Sequence, residues 1–110
     1  MMIPEQRRER YMQDPLPRQL GNLASNLGRL ASCAQNPLTH HSVPGVLLES
    51  CRFAEWAAER APYETQVILA DTQQAVVRWA STWKHGARDP MMPTEAERRA
   101  EELLKIAGLI

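Results

Sequence analysis

The chain has 110 residues, and its 13 lysines and arginines balance its 13 aspartates and glutamates, so the formal net charge is zero. A neutral chain has no overall attraction for nucleic acid or anionic lipid, and any such binding must be local. The length fits one domain that buries about two-thirds of the surface its unfolded chain exposes.

Two further features predict the compartment. No apolar run approaches the ~18 residues that a membrane helix needs, and no apolar stretch follows the charged N-terminus as it does in a secretory signal. The cysteines, Cys33 and Cys51, have no metal-binding or redox spacing, which favours reduced thiols in an intracellular protein. We therefore expect a cytoplasmic protein that does not span a membrane.

Residues 1–14 form a charged leader, of which 5–12 could be a short helix. Asp14 is a candidate cap for the next helix, with Pro15 at its first position. That helix should run over about 15–35, because the Asn-Pro pair at 36–37 stops it. Apolar residues recur along it every three or four positions and predict one buried stripe. They are Leu16, Leu20, Leu23, Leu27, Leu30 and Ala34.

The same helix contains a heptad written twice, over 19–25 and 26–32, and this repeat is the strongest pattern in the chain. It places Gly21 and Gly28 on one flank of the leucine stripe. Each glycine inside a helix costs about 1 kcal/mol relative to alanine, so the pair needs compensation. We expect close packing of a neighbouring helix there, with Trp79 or Trp83 filling the space, or a homodimer seam along the same flank.

Three more helices follow, with predicted bounds of about 44–60, 62–85 and 94–108. Their inner stripes include Leu47, Ala54, Leu69, Val76, Trp79, Ala96 and Leu103. Ser42 is a candidate cap, and Thr94 with Glu97 forms a capping box that should fix the start of the last helix. Gly86 and Gly108 should end the third and fourth helices. No alternating β pattern appears, so we predict an all-α fold, an antiparallel four-helix bundle with a short charged leader.

Trp56 falls on the polar face of the second of these helices, opposite its apolar stripe. It forms one row with Leu48 and Arg52 at intervals of four residues. Three coverings are open: the leader folding back through Tyr11 or Met12, a second copy of the chain, or a different protein. Exposed aromatics beside arginine are common interface anchors, and we predict Leu48, Arg52 and Trp56 as the partner-binding residues.

The chain carries few signs of chemistry. His40, His41 and His85 have no metal-ligand spacing, and a Ser-x-x-Lys match at 81–84 lacks its companion motifs. We predict no metal site, no cofactor and no catalytic residue. Arginines 7, 8 and 10 of the leader form a local basic cluster, but acidic residues dilute it, so we do not expect nucleic-acid binding.

Four stretches resemble a small uncharacterised all-helical family of cyanobacteria. They are 17–27 (PRQLGNLASNL), 49–56 (ESCRFAEW) and 64–66 (ETQ) with 78–79 (RW). The similarity covers roughly residues 15–84. It implies a cytosolic protein of a photosynthetic bacterium and assigns no catalytic or binding residue.

The sequence therefore favours a helical protein–protein interaction or assembly module without enzymatic activity, binding itself as a homodimer or binding another protein. Two alternatives belong to other classes. One is a weak nucleic-acid-binding or regulatory module that uses the leader arginines. The other is an enzyme whose site lies between helices and has no recognisable motif.

Overall fold

A computed structural model describes residues 4–110, and over this range the chain is all-α, as predicted. The first three residues of the predicted leader lie outside the described range. The elements are five α-helices and one 3₁₀ helix between the second and third of them. They are α1 (Pro4–Gln13), α2 (Leu16–Gln35), the 3₁₀ helix (Pro37–Ser42), α3 (Val43–Ala58), α4 (Tyr63–Lys84) and α5 (Met92–Ala107).

The leucine stripe of α2 lies at the centre of the core. Its side chains at 20, 23, 27 and 30 are buried between α5 on one side and α3 on the other. Helix α4 packs mainly on α3, and α1 lies on the outside of α3. The expectation that Trp79 or Trp83 of α4 lies against the glycine flank of α2 is therefore wrong. Helix α5 is the main neighbour of α2, because small residues such as Ala96 and Ala100 face it and allow the two helices to approach.

The start of α5 differs from the predicted capping box. The helix begins at Met92, two positions before Thr94, and the capping residue Met91 makes no side-chain hydrogen bond to the helix. Instead, the Oδ1 atom of Asp89 accepts a hydrogen bond of 2.9 Å from the backbone N–H of Met91. The Asp89 turn and the preset backbone of Pro93 start the helix earlier.

Two other predicted caps act without their side chains. Helix α2 is capped by Pro15, and Asp14 makes no side-chain cap hydrogen bond to it. Ser42 is the capping position of α3, but it too makes no side-chain hydrogen bond there, because the 3₁₀ helix runs directly into α3 with helical backbone angles. At α3 backbone continuity replaces the side-chain cap, whereas α2 begins after the extended backbone of Pro15 with no side-chain cap.

Glycine ends the last helix as predicted. Gly108 has a φ of 75°, and the N–H of Leu109 donates to the carbonyl of Leu104 at 2.9 Å while the N–H of Gly108 donates to that of Lys105 at 3.1 Å. These are the two hydrogen bonds of a Schellman motif, which needs a residue with left-handed backbone angles. The motif turns Leu109 back toward α2.

Candidate docking surface

Helix α1 covers Trp56. The tryptophan is only 8% exposed, although it lies on the outward half of α3, because Tyr11 lies against it with ring centroids 5.7 Å apart. Tyr11 also stacks on Phe53, and its hydroxyl donates a hydrogen bond of 2.7 Å to the carbonyl of Gln19. The prediction of Trp56 as an exposed anchor is therefore wrong for the single chain. The structure shows the leader alternative, with Tyr11 as the covering residue.

Ion pairs hold α1 in the same place. Arg7 donates to Glu49 at 2.7 Å, and Arg8 pairs with Glu59 at the far end of α3. Glu49 also accepts a hydrogen bond of 2.9 Å from Asn26. The leader arginines at 7 and 8 are thus turned toward carboxylates of their own chain, which weakens the basic cluster that a nucleic-acid surface would use.

The three predicted partner-binding residues do not share one open surface. Trp56 is under α1, Arg52 is half-buried, and Leu48 is 54% exposed on the side of α3 that meets α4. Successive steps of four residues drift around a helix, because 400° exceeds one full turn by 40°. The row therefore crosses the outward face of α3 from the α4 side to the α1 side.

Leu48 lines an apolar groove between α3 and α4, with a volume of about 420 Å³. Lys84, the charged residue among those that line the groove, is the last residue of α4. The lining residues are Pro44, Leu47, Leu48, Cys51, Val76, Val77, Ala80, Trp83 and Lys84. Leu48 of α3 and Val77 of α4 both line the groove, and each has about half its surface open to water.

The surroundings of Trp83 fix one end of this groove. The guanidinium of Arg88 lies 3.6 Å from the centre of the indole ring, and the ring of His40 meets it edge-on with centroids 5.0 Å apart. Such a cation–π contact stabilises the ring by about 0.5–1 kcal/mol where water has access. Trp83 is therefore held in place without being fully buried, and it presents apolar surface to the groove.

The two glycines of α2 differ. A Cβ at Gly21 would lie 2.9 Å from Cδ1 of Leu109, so the close approach predicted there exists, but its partner lies two residues beyond the end of α5. A Cβ at Gly28 would meet nothing within 4 Å. Close packing at Gly28 within the described chain is therefore a wrong prediction. A dimer seam at these glycines stays a prediction.

The described residues bring together few side chains that could take part in catalysis or bind a metal ion. Among residues 4–110, no cluster of histidine, cysteine or acidic side chains could hold a metal ion. Burial, with a smaller contribution from Asp14, raises the pKa of Tyr11 well above its usual range. Burial acts to lower the pKa of Arg99, but hydrogen bonds to Asp71 and Glu95 outweigh it and the pKa is raised. Both groups therefore keep their protons and serve structure.

None of the helices in the described part of the chain has both the length and the apolar character to cross a membrane. Comparison with known proteins finds no family model, curated protein or solved structure that matches this chain. The resemblance to the cyanobacterial helical family therefore stays a prediction. The groove between α3 and α4 is the strongest candidate site on structural grounds.

Proposed function

We propose that this chain is a non-enzymatic assembly module that associates with a second copy of itself through the α3–α4 groove. In this proposal α2 to α5 form an antiparallel four-helix bundle that serves as the framework, and α1 packs on α3. One observation carries the proposal: an almost entirely apolar groove of about 420 Å³ is open to water on the surface of a single chain.

Apolar surface in contact with water is energetically unfavourable, and covering the groove with a partner removes that cost. Each Å² of apolar surface removed from water stabilises an assembly by about 25 cal/mol before the costs of association. Leu48 and Val77 would each gain from being covered. Carboxylates are absent from the lining, so an apolar partner surface can enter without leaving a buried acid unpaired.

The experiment measures the mass of the purified chain by light scattering across a range of concentrations. We expect a dimer that dissociates on dilution, and a Leu48→Glu variant with a much weaker dimer because the glutamate would be desolvated in the interface. The control is Leu38→Glu, since Leu38 is exposed on the 3₁₀ helix and does not line the groove. A wild-type chain that stays monomeric at every concentration contradicts the proposal, and so does equal weakening by both variants.

A further inference from the structure

A second uncharged stripe runs along the outward side of α4, away from the core. All its members are exposed, and they follow one another at spacings of four, three, four, three and four residues. They are Tyr63, Val67, Ala70, Gln74, Val77 and Ser81. This spacing is that of a helix packed along another helix, yet no part of the chain over residues 4–110 covers the stripe. We name these six residues the α4 seam.

Three members of the seam are large apolar residues with half or more of their surface exposed. Tyr63 is 78% exposed, Val67 50% and Val77 55%. Single exposed apolar residues are common on protein surfaces, whereas three large ones along one face of a helix mark a candidate contact surface. The seam also shares Val77 with the groove, so the two form one surface.

We propose that the α4 seam pairs antiparallel with the α4 seam of a second copy about a two-fold axis. This inference rests on the self-association proposed above, and it adds the helix, its orientation and its register. A two-fold interface uses the same patch on both copies, so the patch must be complementary to itself.

The spacing of the seam meets this requirement. The series of intervals reads the same from either end, and its midpoint lies between Ala70 and Gln74. Reversing one helix about that midpoint exchanges Tyr63 with Ser81, Val67 with Val77, and Ala70 with Gln74. All six positions therefore fall opposite another seam position, and none is left unmatched.

Side-chain sizes match in the same register. The largest member, Tyr63, faces the small Ser81, and Gln74 faces the small Ala70, while valine faces valine in the remaining layers. A parallel pairing would instead place Tyr63 against Tyr63 and Ser81 against Ser81. Alternating large and small residues across an interface fills space evenly, so the antiparallel arrangement packs better.

Charges on one flank of the seam are complementary in this orientation. Glu64, Asp71 and Arg78 follow the seam at intervals of seven residues. Reversal brings Glu64 of each copy within about 3 Å along the axis of Arg78 of the other, giving two opposite-charge pairs. Arg78 also pairs with Glu95 of its own chain at 3.4 Å, but 59% of its side chain is exposed and open to a second carboxylate. The two Asp71 side chains meet near the axis, but each is already paired with Arg99 of its own chain at 2.9 Å.

The same register gives the groove an occupant. Tyr63 of the second copy falls at the level of Ser81, one turn before Lys84 at the end of α4. An exposed tyrosine can place its ring on the apolar lining and keep its hydroxyl near the ammonium of Lys84 and water. Each dimer would contain two such contacts, related by symmetry.

Disulfide trapping tests the register. Val67→Cys and Val77→Cys are made singly in a background with Cys33→Ala and Cys51→Ala, and oxidised alone or as a mixture. We expect the mixture to yield a covalent heterodimer, because positions 67 and 77 face each other. Each single variant should remain uncross-linked, since identical positions would lie ten residues apart, about 15 Å, which is beyond disulfide reach.

The outcomes separate this inference from the broader proposal. A chain that is dimeric by light scattering, but whose single variants cross-link as readily as the mixture, contradicts the antiparallel register and leaves self-association standing. A dimeric chain with no cross-link in the mixture also overturns the register. A monomeric chain overturns both.

Charge reversal provides an independent readout in the native cysteine background. Glu64→Arg and Arg78→Glu, made singly, should each raise the dimer Kd about tenfold, since two inter-copy pairs are lost. The double variant should regain most of the lost affinity but not all of it, because a glutamate at position 78 also faces Glu95 of its own chain. A double variant as weak as the two single variants would contradict the pairing of these residues.

Discussion

Tyr11 lies flat against Phe53, with ring centroids 4.3 Å apart and ring planes inclined by 16°. This contact joins α1 to α3 across a long stretch of sequence. Stacked aromatic pairs contribute about 0.5–1.5 kcal/mol beyond the area they bury. Helix α1 is therefore part of the fold, and it protects Trp56 from water.

Removing the Tyr11 ring should detach α1. Tyr11→Ala loses the stack, the contact with Trp56 and the hydrogen bond to the carbonyl of Gln19, and we expect the free energy of unfolding in urea to fall by about 3 kcal/mol. Trp56 should become accessible to acrylamide, measured as increased fluorescence quenching in the folded state. Tyr11→Phe is the control: it keeps the ring, loses about 1 kcal/mol, and leaves the quenching unchanged. Equal quenching in wild type and Tyr11→Ala would mean that α1 does not cover the tryptophan.

The same hydroxyl predicts a loss of stability at high pH. Burial, with the smaller effect of Asp14, raises the pKa of Tyr11 in the folded chain above the value of about 10 of an unfolded tyrosine. The stabilisation from the neutral phenol is complete below about pH 10 and is lost as the pH rises further, because the unfolded chain releases a proton that the folded chain retains.

The measurement compares urea unfolding of wild type and Tyr11→Phe between about pH 9 and 11, on either side of the unfolded tyrosine pKa. The free energy of unfolding of wild type should fall relative to the phenylalanine variant above about pH 10, by at most about 1.4 kcal/mol per pH unit. A constant difference between the two proteins over this range would contradict the raised pKa of Tyr11.

The two glycines of the doubled heptad should respond differently to alanine. Gly28→Ala places its methyl group in open space and should stabilise the chain by about 0.5–1 kcal/mol through helix propensity. Gly21→Ala should gain less, because Cδ1 of Leu109 must move away from a Cβ at 2.9 Å. Thermal unfolding of both variants checks this order. In a Leu109→Ala background the close contact is absent, so Gly21→Ala should stabilise the chain as much as Gly28→Ala does. An increased dimer Kd for Gly28→Ala would instead place Gly28 in the homodimer seam predicted along α2, which is distinct from the α4 seam.

The helices of this chain were largely predictable because their signals are local. The leucine stripe of α2 and the glycine after α5 depend on neighbours within two turns, and periodicity and turn chemistry reveal them. The start of α5 was missed for the opposite reason: Thr94 and Glu97 match a capping box, but the turn at Asp89 nucleates the helix earlier. Local patterns compete, and the strength of each is not visible in the sequence.

The candidate site was less predictable because it depends on which helices are neighbours. The outward position of Trp56 was readable from its helix, but whether α1 or a partner covers it depends on long-range contacts of Tyr11. Leu48 was singled out correctly as an outward residue, while the groove behind it requires Val77 on a different helix. The α4 seam leaves a signal in the sequence, since Val67 and Val77 stand out among polar positions on the outward side of the helix.

Arg99 links α5 to α4, two helices that otherwise touch only lightly. Its guanidinium donates to Asp71 at 2.9 Å and to Glu95 at 3.2 Å, and its side chain is only 12% exposed. Arg99→Met should lower the free energy of unfolding by about 2 kcal/mol, because it removes two hydrogen bonds between charged groups and leaves the half-buried Glu95 with a weaker set of partners. The exposed neighbour Arg98 provides the control, and Arg98→Met should change stability by less than about 0.5 kcal/mol. Urea unfolding at low and high salt tests the cause: the difference between the two variants should persist at high salt, since partly buried pairs are screened less than exposed ones. Equal stability of the two variants would mean that the packing of α5 on α2 alone holds α5 in place.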